Sequence, residues 1–82
     1  MNTTQAKIAL NEAMDDLKQA RDQARLRLHL STMEAKQQWN RLEENIEERI
    51  RRGRAEATEV AVTKARELAK SIREFAQDHS QN

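Results

Sequence analysis

The sequence lacks cysteine, proline and tyrosine, and it contains only one glycine, Gly53, and one phenylalanine. Without cysteine the chain has no disulfide, no thiolate metal ligand and no thiol nucleophile. A β-protein is also disfavoured, because strands are rich in β-branched and aromatic residues and their turns use glycine and proline. The abundance of Ala, Glu, Gln, Arg and Leu is instead typical of long helices and coiled coils.

Long apolar runs and an excess of one charge are also missing. Lys and Arg together number 15 and Asp and Glu 14, a net charge of +1 that gives no global attraction to nucleic acid or anionic lipid. No apolar run approaches the roughly 20 residues of a membrane span, and the first residues lack the apolar core of a signal peptide. We therefore expect a cytoplasmic protein that does not bind membranes.

With 82 residues, 37% hydrophobic and 35% charged, the chain can form one small domain whose interior is a thin seam between helices. We take residues 1–82 as that domain, with frayed ends at about 1–3 and 79–82. No glycine-rich phosphate loop, zinc-protease histidine pair or nucleophile–base pair is present in the sequence. We therefore predict neither catalysis nor a cofactor.

Apolar residues recur at helical spacing in three segments, which predicts an all-α protein. The most regular set lies in the central segment 29–50: Ala35, Trp39, Leu42, Ile46 and Ile50. The first helix carries a narrower stripe: Ala6, Leu10, Met14, Leu17, Ala24 and Leu28. The last helix, from about 55 to 78, carries the third: Ala57, Val60, Ala61, Ala65, Leu68, Ile72 and Phe75.

Gly53 is predicted to end the central helix, because glycine readily adopts the left-handed conformation found at helix C-termini. The alternative is a glycine inside a continuous helix, at a cost of about 1 kcal/mol. A turn at Gly53 predicts an antiparallel helical hairpin or coiled-coil-like bundle. In that hairpin Trp39 would lie near Leu68, and Ile46 opposite Val60.

A second break near Leu30–Thr32 would divide the chain into three helices. Ser31 and Glu34 have the spacing of a capping box, in which each side chain accepts from the other's backbone N–H. The alternative is one long helix, since no glycine or proline is near and the apolar stripe keeps its phase. Residues 25–30 alternate like a strand, but the helix formers on both sides argue against that interpretation.

Leu26, Leu30 and Met33 form a second apolar patch, nearly opposite the main stripe if this segment is helical. A helix that is apolar on two sides needs two partners. We therefore predict a non-enzymatic helical interaction module, a small scaffold or regulator that binds itself or another helical protein. These three residues and Trp39 are the predicted partner-binding residues.

An alternative function is nucleic-acid binding through four arginines that could contact phosphates: Arg49, Arg51, Arg52 and Arg54. Glu47 and Glu48 lie one helical turn before them, and no aromatic residue is interleaved for stacking on bases. A solvated helix end with ion pairs is the simpler interpretation.

A weaker alternative is metal binding. His29 and Met33 are four residues apart and could present imidazole and thioether ligands to copper, and a hairpin at Gly53 would bring His79 close. Neither histidine follows a glutamate by three residues, as carboxylate-bridged di-metal sites in bundles require. Two histidines need no special role, so we predict no metal.

The segment LRLHLSTMEAKQQWNRLE, residues 26–43, resembles a group of small uncharacterised bacterial helical proteins of proteobacterial type. The residues that match are Leu28, His29, Leu30, Met33, Glu34, Ala35, Lys36 and Trp39. The resemblance covers about a fifth of the chain and implies a coiled-coil-like helical fold. It implies no activity.

Overall fold

The computed structural model describes residues 3–56 and 58–79, and each regular element within them is a helix. Helix α1 spans Thr3–Leu28, α2 spans Met33–Glu56 and α3 spans Glu59–Asp78. The connections are short, so α2 runs antiparallel to both neighbours and α1 lies parallel to α3. The bundle measures 44 × 20 × 14 Å. The predicted all-α bundle is confirmed, in its three-helix form.

Helices α1 and α3 form the largest contact in the bundle, and alanine dominates its buried side chains. All six predicted stripe residues of α1 are buried, together with two alanines that the stripe did not include, Ala13 and Ala20. The buried residues of α3 are Ala61, Ala65, Ala69, Ile72 and Ala76. Short side chains let two helix axes approach closely, which explains the extent of this contact.

One predicted member of the α3 stripe does not lie in the interior. Val60 is 57% exposed, so its predicted burial opposite Ile46 is wrong. It lies in the first turn of α3, where the neighbouring Ala61 faces the interior instead. Ala57 and the chain ends at 1–2 and 80–82 lie outside the described residues, whereas Thr3 begins α1 and His79 caps α3.

The predicted break near Leu30–Thr32 is confirmed, but the residue that caps α2 is Thr32. Its Oγ1 accepts a hydrogen bond from the backbone N–H of Ala35 at 3.1 Å. The Ser31 hydroxyl instead donates to the carbonyl oxygen of Leu28 at 2.6 Å and closes the end of α1. The capping box predicted from Ser31 and Glu34 is therefore wrong by one residue.

Replacing Thr32 with alanine is expected to lower the free energy of unfolding by about 1 kcal/mol, because the Ala35 N–H loses its acceptor. Thr32→Ser retains the hydroxyl and should stay within about 0.5 kcal/mol of the wild type. Urea denaturation followed by circular dichroism measures both. Equal losses in the two variants would contradict the assigned cap.

The predicted break near Gly53 is confirmed, but α2 continues three residues further to Glu56, so Gly53 itself does not end the helix. Thr58 caps the next helix, with its Oγ1 accepting from the backbone N–H of Ala61 at 3.3 Å. Gly53 is buried, and a Cβ at this position would meet the Cε of Met14. Glycine thus provides space for a side chain of α1.

The later turn also changes the pairing of α2 with α3. The rings of Trp39 and Phe75 stack with centroids 6.4 Å apart, so the predicted proximity of Trp39 to Leu68 is wrong by two helical turns. In an antiparallel pair, moving the turn along the chain shifts the opposing residue by about twice that distance. The displacement of the turn beyond Gly53 therefore accounts for the new pairing.

Replacing Gly53 with alanine is expected to leave stability unchanged or to raise it by up to about 1 kcal/mol. Alanine favours the helix by about that amount, and the atom in its way is the flexible end of Met14. Gly53→Leu must displace Leu10 as well, whose Cδ1 lies 3.6 Å from the point that a Cβ on residue 53 would occupy, and should destabilise. Thermal unfolding of both variants measures the effect. If Gly53 were instead a left-handed helix cap, Gly53→Ala would lower the free energy of unfolding by about 1 kcal/mol.

Candidate interaction surface

One end of the bundle exposes large apolar side chains. Leu26 in the last turn of α1, Leu30 in the connection and Met33 at the start of α2 are 75–80% exposed. Single exposed apolar residues are common on protein surfaces, but three within eight positions around one turn form a concentrated apolar surface. We call these three residues the apolar end.

A shallow groove of about 410 Å³ lies beside the apolar end. Residues of α1, of α2 and of their connection line it: Arg25, Leu28, His29, Met33, Lys36, Gln37, Trp39, Asn40 and Glu43. Of the three residues of the apolar end, Met33 lines this groove. Helical spacing predicted these three residues on one face of a helix, but α1 ends at Leu28, so they are divided between α1, the connection and α2. The spacing carried no signal for the groove.

Within the groove, Glu43 connects α1 and α2. Its carboxylate accepts from Arg25 Nε at 2.7 Å and Arg25 Nη2 at 3.0 Å, and from Trp39 Nε1 at 2.5 Å. The hydrogen bond from Arg25, with its positive charge and the Trp39 N–H, holds the pKa of Glu43 below its ordinary value against the opposing effect of burial. Glu43 therefore remains ionised at neutral pH.

Trp39 belongs to this internal network. Its side chain is 5% exposed and its ring packs on Phe75 of α3. Of the four predicted partner-binding residues, the structure thus brings Leu26, Leu30 and Met33 to the surface and places Trp39 in the interior.

A second ion pair connects the two parallel helices. Arg73 Nη2 donates to Asp16 Oδ1 at 2.6 Å, and Arg73 Nη1 donates to Oδ2 at 3.3 Å. The hydrogen bond from Arg73 lowers the pKa of Asp16 below its ordinary value, and the same bond raises the pKa of Arg73. This ion pair supports the alignment of α1 with α3 along their alanine-rich contact.

Stability is expected to fall as the pH is lowered from about 5. Asp16 and Glu43 have lowered pKa values in the folded chain, so their contribution is complete above their unfolded pKa values and is lost as the pH falls through the folded ones. Both carboxylates are partly solvated, so the effect is modest. Urea midpoints at neutral and acidic pH should differ less in Asp16→Asn/Glu43→Gln than in the wild type. An unchanged pH dependence would contradict these pairings.

The four predicted phosphate-binding arginines lie near the end of α2 that is remote from the apolar end. At about 100° per residue, Arg49 and Arg52 lie on one side of the helix, and Arg51 and Arg54 on the other. Arg52 Nη2 pairs with Glu48 at 2.9 Å. Arg49 is half-buried, and its buried Nη1 has no hydrogen-bond partner within the described chain. The cluster is therefore not one continuous basic surface.

The candidate metal ligands are divided between two environments. His29 and Met33 line the groove, whereas the ring of His79 packs against Phe75 with centroids 4.4 Å apart. Among residues 3–56 and 58–79, no group of three or more His, Asp or Glu side chains is placed to hold a metal ion.

Comparisons with known proteins leave the function to be argued from this surface. No protein-family model matches the chain, and neither the curated proteins nor the solved structures include a significant match. The resemblance of residues 26–43 to small bacterial helical proteins therefore stays a prediction. None of the described helices is long and apolar enough to cross a membrane.

Proposed function

We propose that the chain is a non-enzymatic protein–protein interaction module that binds through the apolar end. The observation that carries the proposal is the exposure of three large apolar side chains, Leu26, Leu30 and Met33, around one helix–helix connection. Exposed apolar surface of this kind is typical of binding sites on small helical proteins.

The three residues of the apolar end are not part of the hydrophobic core. Helices α1 to α3 bury their own stripes against one another, and the core contains residues from all three helices. Fully burying a large apolar side chain contributes about 1.5–3 kcal/mol, and association itself costs several kcal/mol. Three such side chains therefore support a modest affinity by themselves, and a tight complex needs additional polar contacts.

The proposal is tested with two matched double variants of the full chain. Leu26→Gln/Leu30→Gln removes the apolar end, and Ile8→Gln/Val60→Gln removes two exposed apolar residues near the other end, where they are 55% and 57% exposed. Glutamine is polar and helix-compatible, so both variants should unfold like the wild type.

Sedimentation with varied concentration detects self-association, and quantitative affinity isolation from source cells detects other partners. We expect the wild type and the Ile8/Val60 variant to form the same complex, and the Leu26/Leu30 variant to lose it by at least about tenfold. A wild-type chain that stays monomeric and retains no protein would overturn the proposal, as would equal binding by both variants.

A further inference from the structure

A groove of about 350 Å³ lies between α2 and α3 and shares no lining residue with the groove beside the apolar end. We call it the α2–α3 groove. Its volume lies in the range of about 300–1,000 Å³ that is typical of sites for small molecules. Three of its lining side chains are cationic: Arg49 and Arg52 on α2, and Lys64 on α3. The groove therefore joins two of the predicted phosphate-binding arginines to a lysine of the facing helix.

Arg49 is half-buried in this groove, and its buried Nη1 has no hydrogen-bond acceptor among the described residues. Arg49 also forms no ion pair within residues 3–56 and 58–79. A buried charged donor without an acceptor is costly, because nothing replaces the hydration that the charge has lost. An anion in the groove that accepts from Arg49 would offset that cost.

The other two cations contribute further donors from both walls of the groove. Lys64 is exposed and has no ion-pair partner in the described part of the chain. Arg52 pairs with Glu48 through Nη2 at 2.9 Å, which leaves the other N–H groups of its guanidinium available. Two cations that line one groove repel each other, and an anion between them removes that repulsion.

Two carboxylates also line the groove, and they do not neutralise it. Glu48 is already engaged by Arg52. Glu67, one turn after Lys64, forms no ion pair within the described ranges. Arg49 and Lys64 against Glu67 leave an excess of one positive charge in the groove. Glu67 therefore opposes an incoming anion, and the cations outnumber it.

We propose that the α2–α3 groove binds the phosphate group of a small molecule. The phosphate oxygens accept from Arg49, Arg52 and Lys64, and the Ser71 hydroxyl and the Asn45 amide lie in the same groove as further donors. A phosphate group presents three acceptor oxygens and a carboxylate two, so phosphate suits donors that come from two helices. The inference is independent of the proposed function, because no residue of the apolar end lines this groove.

Nuclear magnetic resonance titration of the full chain with inorganic phosphate, and separately with glycerol phosphate, measures binding. Sodium chloride holds the ionic strength constant, so that general screening does not change. We expect saturable shifts of the Arg49 Nε–Hε signal and of backbone amides along the groove with both ligands. Acetate should bind about fivefold more weakly, since it offers fewer acceptor oxygens. Absence of saturable shifts, or equal binding of acetate, overturns the inference.

Neutral substitutions test the residues. Arg49→Gln removes the buried donor and should weaken phosphate binding by about tenfold, the loss expected for a hydrogen bond to a charged group. Arg54→Gln makes the same chemical change at an exposed position on the other side of α2 and should alter binding by less than about twofold. Equal weakening by both variants would show a non-specific attraction and overturn the site. Lys64→Gln, at an exposed position, should weaken binding by about two- to fivefold and keeps the test valid if Arg49→Gln unfolds.

Glu67→Gln distinguishes a phosphate site from an ion pair within the chain. It removes the carboxylate that opposes the ligand, so it should raise the affinity for phosphate by about two- to fivefold. If Glu67 itself satisfies Arg49 in solution, Glu67→Gln will lower stability in phosphate-free buffer without tightening phosphate binding, and the inference is overturned. Binding of a DNA duplex without measurable binding of either small phosphate would overturn it in favour of nucleic acid.

Discussion

Replacing Trp39 with alanine is expected to lower the free energy of unfolding by about 3–5 kcal/mol. The side chain is buried, its ring packs on Phe75, and its indole N–H donates to Glu43. Small domains are stable by only about 5–15 kcal/mol, so this one change removes much of the total. Urea denaturation at neutral pH, followed by circular dichroism, measures the loss.

Trp39→Phe is the matched control, because it retains an aromatic ring against Phe75 and removes the hydrogen bond to Glu43 together with part of the buried ring volume. We expect it to cost about 1–3 kcal/mol. A loss below about 1 kcal/mol in Trp39→Ala would indicate that the ring is not part of the interior. The ring would then be free to contact a partner.

Replacing Ala65 with leucine is expected to destabilise the bundle by about 3 kcal/mol, near the upper end of the usual cost of overpacking. Ala65 is fully buried on α3, which makes its largest contact with α1. A leucine there must push the two helices apart or adopt a strained rotamer. Thermal and urea unfolding of the full chain measure the effect.

The control is Ala55→Leu, which makes the same chemical change at an exposed position near the end of α2. Away from the core, such a substitution should change stability by no more than about 0.5 kcal/mol. If Ala65→Leu and Ala55→Leu were equally mild, α1 and α3 could not be closely packed through their alanines.

The helical class and much of the core followed from apolar spacing alone. The stripe of α1 is buried throughout, and in α2 Ala35, Trp39 and Ile46 are buried. The alanine-rich contact between α1 and α3 was harder to predict, because alanine is equally compatible with a buried and an exposed helix face. Ala69 and Ala76 are buried core residues that the predicted stripe of α3 did not include.

The turns could be predicted only in part, because their details depend on contacts distant in sequence. Gly53 has the local features of a helix end, but its role is to accommodate Met14, 39 positions earlier in the chain. The register of α2 against α3, and with it the stacking of Trp39 on Phe75, follows from where the turn falls. The local apolar pattern therefore predicted the positions of the helices more reliably than the register in which they pack.

The candidate interaction surface could likewise be predicted only in part. Leu26, Leu30 and Met33 were identified from spacing, and the structure places them at one end of the bundle. The groove beside them depends on α1 and α2 folding back on each other. The bidentate pair of Arg25 with Glu43, 18 positions apart, had no signal in the sequence.

Site-specific photo-cross-linking in source cells tests the central claim most directly. A benzophenone-bearing residue replaces Leu30 at the apolar end in one chain and Val60 near the opposite end in another. Our account predicts a defined covalent adduct from position 30, either with another protein or with a second copy of the chain. The adduct is absent from position 60 and is lost when Leu26 and Met33 are changed to glutamine. No adduct from position 30, or the same adducts from both positions, would contradict it.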